Sequence, residues 1–194
     1  RRICILLRRE GWRDNHKLVY RVYKEEGLNL RSKRPRRNKA SAHSLERPEY
    51  SSLHQCWSMD FVSDAIFDGR KFRALTIVDN FSRGCLAIVP GQSLKGTDVV
   101  TALEKIRTER GFVPKRIQTD NGGEFISKEA DSWGYENKVT MDYSRPGKPT
   151  NNPFIESFNR SFRDECLNAH RFLSLEEVEM EIEAWRIEYN HFRP

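Results

Sequence analysis

From Gln55 onward the spacing of apolar residues spells out an ordered series of elements. "QCWSMDFVSDAIF" alternates apolar and polar positions, the two-residue period of a strand with one face on a core. "DGRKF" carries turn residues, and "RALTIVDNF" and "GCLAIVP" read as two more strands, so a three-stranded meander is predicted. The period then becomes helical in "GTDVVTALEKIRTERG", with Val100, Leu103 and Ile106 or Arg107 on successive turns and Gly111 as the stop. "PKRIQTD" is a short strand running into "NGGEF", "SKEADSWGYEN" a helix, and "KVTMDYS" a fifth strand. A loop rich in Pro, Gly and Asn follows. Pro153 then opens a helix to about Leu167, and a last helix starts at Ser174, which has capping-box spacing to Glu177. Such an order predicts an α/β fold, a five-stranded mixed sheet flanked by helices.

The first part of the chain has a different texture. Residues 2–9 and 16–26 show helical spacing, with Ile3, Leu6 and Leu7 on one stripe and Val19, Val22 and Tyr23 on the other. Gly11 separates them, and Asp14 or Asn15 can cap the second helix. Two short helices with a tight turn and a basic surface make residues 1–35 compatible with a helix-turn-helix-like DNA-binding segment, a pattern that any small helical hairpin shares. "NLRSKRPRRNKASAHSLERPEY" has no period, and residues 36–54 read as a basic and polar linker before a core spanning 55–194.

Charge sharpens this division. The net charge is +6, but residues 1–39 hold 14 Lys/Arg against 4 Asp/Glu, while residues 40–194 hold 20 against 24. The basic part suits a polyanion, most simply nucleic acid, and Arg31, Lys33, Arg34, Arg36 and Arg37 are expected to lie along phosphates. No apolar run is long enough to span a bilayer, and no apolar signal region opens the chain, so a cytoplasmic location is expected. Cys4, Cys56, Cys85 and Cys166 include no CxxC pair and the five histidines are dispersed, which argues for reduced thiols and against a zinc site.

Three acids draw attention together, although a lone helical Glu is ordinarily a solvated side chain and a lone strand Asp often a turn or edge residue. Asp60 lies mid-strand between Met59 and Phe61, where an unpartnered carboxylate is costly. Asp120 ends the strand "RIQT" just before Asn121-Gly122-Gly123, and strand ends in α/β sheets gather reactive groups. Glu156 lies in the helix opened by Pro153. Brought together, three carboxylates repel one another unless a cation neutralises them, and Mg²⁺ or Mn²⁺ prefers such oxygen ligands. Two ions about 3.5–4 Å apart form a clamp for phosphodiester cleavage and transfer. Asp64, Asp68, Asp79, Asp142 and Glu124 read as ordinary turn, edge or solvated acids.

"WSMDF", "QTDNGGEF" and "PGKPTNNPFIESFNRSFRDECLN" resemble the catalytic core of insertion-sequence transposases of the DDE type, which belong to the retroviral integrase superfamily with its RNase H-like fold. "GRKFRALTIVDNFSRGCLAI" and "SLEEVEMEIEAWRIEYNHFRP" match the same group, so the resemblance covers residues 55–194. Residues 1–35 are similar, more weakly, to the helix-turn-helix segment that precedes this core. The resemblance implies a catalytic, metal-binding triad of Asp60, Asp120 and Glu156, with 35 residues between the last two, and a basic residue at Arg163. It implies two Mg²⁺ or Mn²⁺ ions, element-end and target DNA as partners, and a homo-multimer assembled on DNA.

Helical spacing puts residues 156, 159, 160 and 163 along one face. Glu156 would meet metal there and Asn159, Arg160 and Arg163 would reach toward DNA. Phe154 or Ile155, with Phe158 and Phe162, would hold the core side, and Lys148 is the loop candidate for a DNA contact. The chain departs from the family pattern at Asn151 and Asn80, each usually Asp. Family members run on at both ends, so the C-terminus is expected to be truncated. The expected function is metal-dependent cleavage and strand transfer at the ends of an insertion sequence. The competing expectations are a truncated, inactive DNA-binding regulator and a plain RNase H-like nuclease.

Overall fold

The computed structural model describes residues 2–28, 49–144 and 152–192. The chain divides into two units, residues 1–48 with 192–194, and residues 49–191. In the first, α1 (Arg2–Arg9) and α2 (His16–Glu25) occupy the stretches where helical spacing was read. Gly11 takes φ +97° between them, a conformation open to glycine. Asn15 is the cap, its side chain accepting from Lys17 N. The two expected stripes are little packed: α2 buries no residue, Ile3, Leu6 and Val22 are exposed, and Cys4 is buried in α1.

The second unit is built on a sheet of order β3-β2-β1-β4-β5. Strands β1 (Cys56–Ala65), β2 (Lys71–Asp79) and β3 (Cys85–Gly91) form the antiparallel meander. The short strands β4 (Arg116–Thr119) and β5 (Thr140–Tyr143) continue the sheet in parallel with β1. Alternation along β1 gives two cores. Trp57 and Met59 face one side, where α3 (Gly96–Arg110) and α4 (Lys128–Glu136) bring Val99, Leu103, Ile106 and Trp133. Val99, rather than Val100, carries the first turn of the α3 stripe; Val100 is only partly buried. Gly111 closes α3 at φ +75°.

Val62, Ala74, Val78 and Ile88 face the other side, covered by α5 (Pro153–Phe162) and α6 (Leu175–Phe192). Ile155, Phe158 and Phe162 are the buried stripe of α5, and Trp185 of α6 stacks near Phe158 and Phe162 at 5.7 and 5.2 Å. Burying one such ring contributes about 1.5–3 kcal/mol. The α5 helix runs on to Leu167 as expected, but its last turn, Arg163–Leu167, is π-helical, with Asn168 N donating to Arg163 O at 2.8 Å. Ser174 Oγ accepts from Glu177 N, and Glu177 in turn accepts from Leu173 N. All four cysteines are free and buried. Among the described residues no helix is long and apolar enough to cross a membrane.

Candidate active site

The sheet pairs the strand of Asp60 with the strand that leads to Asp120. In the parallel β1–β4 ladder, Ser58 pairs with Gln118. Asp60 lies two residues beyond Ser58 on β1, and Asp120 two residues beyond Gln118, just past the end of β4. Asp60 is on the sheet face that α5 covers. With Ile155, Phe158 and Phe162 turned into the core, Glu156 and Asn159 fall on the flank of α5 that runs past Asp60.

Asp60 is half-buried and both its oxygens are held: Oδ1 accepts from Phe61 N at 2.7 Å and Oδ2 from Asn159 Nδ2 at 2.8 Å. Asn159 Oδ1 and the Asp60 carbonyl each lie 3.0 Å from Thr76 Oγ1, which offers its single proton to the two acceptors. Burial pushes the Asp60 carboxyl above its ordinary range. The charges of Asp120 and Glu156 push it further, against the hydrogen bonds from Phe61 N and Asn159. Asp60 thus senses the charges of both other acids.

Asp120 is exposed just past β4, with Oδ1 accepting from Gly122 N at 2.9 Å. Asn121 Nδ2 ties this turn to Ser144 O, beside the end of β5, at 2.8 Å. A Cβ at Gly122 would stand 3.0 Å from Asp120 Oδ1 and 3.2 Å from Glu124 Oε2, so the turn has little room for a side chain. Glu156 is exposed in the first turn of α5, where the helix dipole favours an acid.

Nearby cations are engaged elsewhere. Arg73 pairs with Glu124 and lies over the Phe61 ring at 4.1 Å. Its hydrogen bond holds Glu124 below the usual carboxylate range, in keeping with an ordinary paired acid. Arg163 donates to Ser63 O at 2.8 Å and stands 3.9 Å from Asp64 Oδ2. Among the described residues no three Asp, Glu, His or Cys side chains converge closely enough to form a ready-made metal cage. The donor set is nonetheless all carboxylate oxygen, its charges unneutralised, which fits a hard divalent cation such as Mg²⁺.

Sequence comparison adds the lineage. A family described as Integrase core domain matches residues 51–149, and a second of the same description matches residues 137–194. An insertion element IS407 protein of Burkholderia multivorans, described as an uncharacterized 31.7 kDa protein, is 43% identical over the whole of this chain and 69% of its own length. The chain belongs to the integrase core domain family.

A second insertion-element relative, the IS476 uncharacterized 39.2 kDa protein of Xanthomonas euvesicatoria, is 41% identical over the whole chain and 56% of its own length. Both of these relatives are proteins of insertion elements. Among solved structures, the HTLV-2 integrase catalytic core domain in complex with magnesium, in a trimeric form, aligns with TM-score 0.57 at 17% identity, over 72% of this chain and 87% of that one. The sheet and its flanking helices are thus those of the RNase H-like integrase core.

The integrase core treats the remaining predicted residues differently. Asn159, expected to reach toward DNA, directs its amide to Asp60. Arg160 is exposed on the flank of Glu156. Lys148, Arg31, Lys33, Arg34, Arg36 and Arg37, and the family departure at Asn151, lie outside the described residues. Asn80, the other departure, is buried; its Nδ2 donates to Cys56 Sγ and Gln118 Oε1, and its Oδ1 lies 2.7 Å from Ser58 Oγ. Asp79, read as an ordinary turn acid, is fully buried and accepts from His54 N, Phe81 N and Ser82 N.

Proposed function

We propose that this integrase core cuts and joins DNA strands at the ends of an insertion sequence in a divalent-metal-dependent reaction, with Asp60, Asp120 and Glu156 as its metal ligands. The observation that carries the proposal is that Asp60, on the sheet face that α5 covers and bonded to Asn159 of that helix, lies within reach of the charges of Asp120 and Glu156, which both raise its carboxyl. Asp60 and Asp120 would hold one Mg²⁺ or Mn²⁺, and Asp60 and Glu156 the second. Bound there, the ions would activate a water or a DNA 3′-hydroxyl for in-line attack on a phosphodiester and stabilise the leaving oxygen.

The chain's own groups prepare that chemistry. The Asn159 amide favours the ionised form of Asp60, the form a metal needs, and fixes one of its oxygens. The Gly122 amide holds one oxygen of Asp120 in place. Arg160 and Arg163, on the flank of α5 that carries Glu156, would meet phosphates, as would Lys148 in the preceding loop. Residues 1–35 and the basic run Arg31, Lys33, Arg34, Arg36 and Arg37 would supply a salt-sensitive grip on element-end DNA. A homo-multimer assembled on that DNA, acting on the chromosome in the cytoplasm, completes the proposal. The trimeric form of the HTLV-2 core supports the multimer by analogy of fold.

The test is a labelled duplex bearing the element's end, incubated with the protein and Mn²⁺ or Mg²⁺. Metal-dependent nicked or joined products, lost in Asp120→Asn, are expected. Salt-sensitive binding with no products would instead favour a DNA-binding regulator of transposition.

A further inference from the structure

Asn152 occupies the N-cap of α5 and belongs to a residue type that caps helices well, yet its side chain makes no capping bond. It turns inward, with an amide atom 2.7 Å from Ser58 Oγ, and is only 9% exposed. Ser58 is fully buried on β1, and its hydroxyl also lies 2.7 Å from Asn80 Oδ1, just past the end of β2.

Proton counting orders these bonds. Asn80 Nδ2 is committed to Cys56 Sγ at 3.3 Å and Gln118 Oε1 at 3.2 Å, so the single proton of Ser58 goes to Asn80 Oδ1. Asn152 Oδ1, also 2.7 Å from Ser58 Oγ, shares that proton, and Asn152 Nδ2 donates to Gln118 O at 3.5 Å. The backbone carbonyl of the same Asn152 accepts from the N–H of Glu156 at 3.3 Å. A chain of bonds therefore runs from the end of β2 through β1 to the backbone of the glutamate.

An independent contact joins the same two elements. In the turn between β2 and β3, Asp79 Oδ1 accepts from Phe81 N and Ser82 N at 3.0 and 2.8 Å. Arg83 follows with φ +64°, an uncommon conformation for a residue with a side chain. There its guanidinium lies 3.4 Å from the centre of the Phe154 ring, in the first turn of α5.

We propose that the β2–β3 turn is the seat of Glu156. Asn80 acting through Ser58, and Arg83 acting through Phe154, set the first turn of α5 and hold the glutamate in position against Asp60. Ser58, Asn80, Asn152 and Arg83 are positioning residues; none is assigned to metal or DNA. The consequence for metal rests on Glu156 being a metal ligand, while the seat itself rests on the packing of α5.

Two variants of the full chain test this, Ser58→Ala, which removes the hub, and Arg83→Asn, which removes the cation but keeps a residue type tolerant of positive φ. The first measurement is amide hydrogen exchange without metal. Exchange about tenfold faster in the first turn of α5, with α3 and α6 unchanged, supports the seat. Unchanged exchange there in both variants overturns it.

The second measurement is the Mn²⁺ concentration for half-maximal strand cleavage. A rise of about tenfold, with the rate at saturating Mn²⁺ retained, is the mark of a ligand held in place from behind. A lowered saturating rate at an unchanged Mn²⁺ requirement overturns positioning as the role. Should the unsubstituted chain bind no Mn²⁺, the metal reading fails, and the exchange measurement still decides the seat.

Discussion

Asn159→Ala removes the amide that donates to Asp60 Oδ2 at 2.8 Å. A hydrogen bond to a charged group contributes about 1.5–3 kcal/mol, and one between neutral groups about 0.5–1.5 kcal/mol. The carboxylate therefore loses more than the carboxylic acid, and the penalty of the substitution should grow by roughly 1–2 kcal/mol as Asp60 ionises. The Asp60 carboxyl already sits above its ordinary value of 3.8. The folded state thus keeps this proton longer than the unfolded chain, and stability falls as pH rises from 3.8 through the folded pKa. Losing the amide raises that folded pKa further and extends the fall to higher pH. Thr76 Oγ1 keeps the Asp60 carbonyl as an acceptor at 3.0 Å, so no buried hydroxyl is orphaned. The gain in helix propensity from Ala is independent of pH and cancels in the comparison. Urea unfolding without divalent metal, between about pH 4 and pH 8, gives the penalty at each pH from the midpoint at constant slope. A penalty that rises with pH is expected. An equal penalty throughout would refute the coupling of Asn159 to the Asp60 charge.

The other predictions concern the frame around the site. Gly122→Ala should push Asp120 aside, since its Cβ would stand 3.0 Å from Oδ1; Mn²⁺ affinity by calorimetry should fall while the melting temperature changes little. Asn80→Asp replaces the two N–H bonds of Asn80 with a buried acid, and denaturant unfolding should show a loss of about 1–3 kcal/mol that grows as pH rises and the acid ionises. Phe162→Ala empties a fully buried ring position and should cost about 3–5 kcal/mol in the same assay.

Local periodicity made most of the fold legible. The alternation of β1, the helical period of α3 and the capping-box spacing at Ser174 each concern neighbours in the chain. It also set the core side of α5, though only packing chose Ile155 over Phe154, whose ring lies instead under Arg83. Of the three acids, Asp60 broke the local rule for its place mid-strand, whereas Asp120 at a strand end and Glu156 in a first helical turn are locally ordinary and stood out only through the family resemblance. The role of Asn159 was not legible. An Asn on a polar helix flank looks the same whether it meets water, DNA or a carboxylate 99 residues away. The Ser58–Asn80–Asn152 ties span 22 and 94 residues and leave no local period. The π-helical turn at Arg163–Leu167 has no compositional sign either. In the first unit the helices followed the spacing, but the stripe residues Ile3, Leu6 and Val22 remain exposed.

Mn²⁺ binding measured by calorimetry on the unsubstituted chain, Asp60→Asn and Glu156→Gln tests most directly whether the three acids make one metal site. Saturable binding that weakens in both variants, with Mn²⁺ at 100 times its Kd stabilising the unsubstituted chain by about 2.7 kcal/mol, is the expected result. Identical isotherms for all three proteins would contradict it.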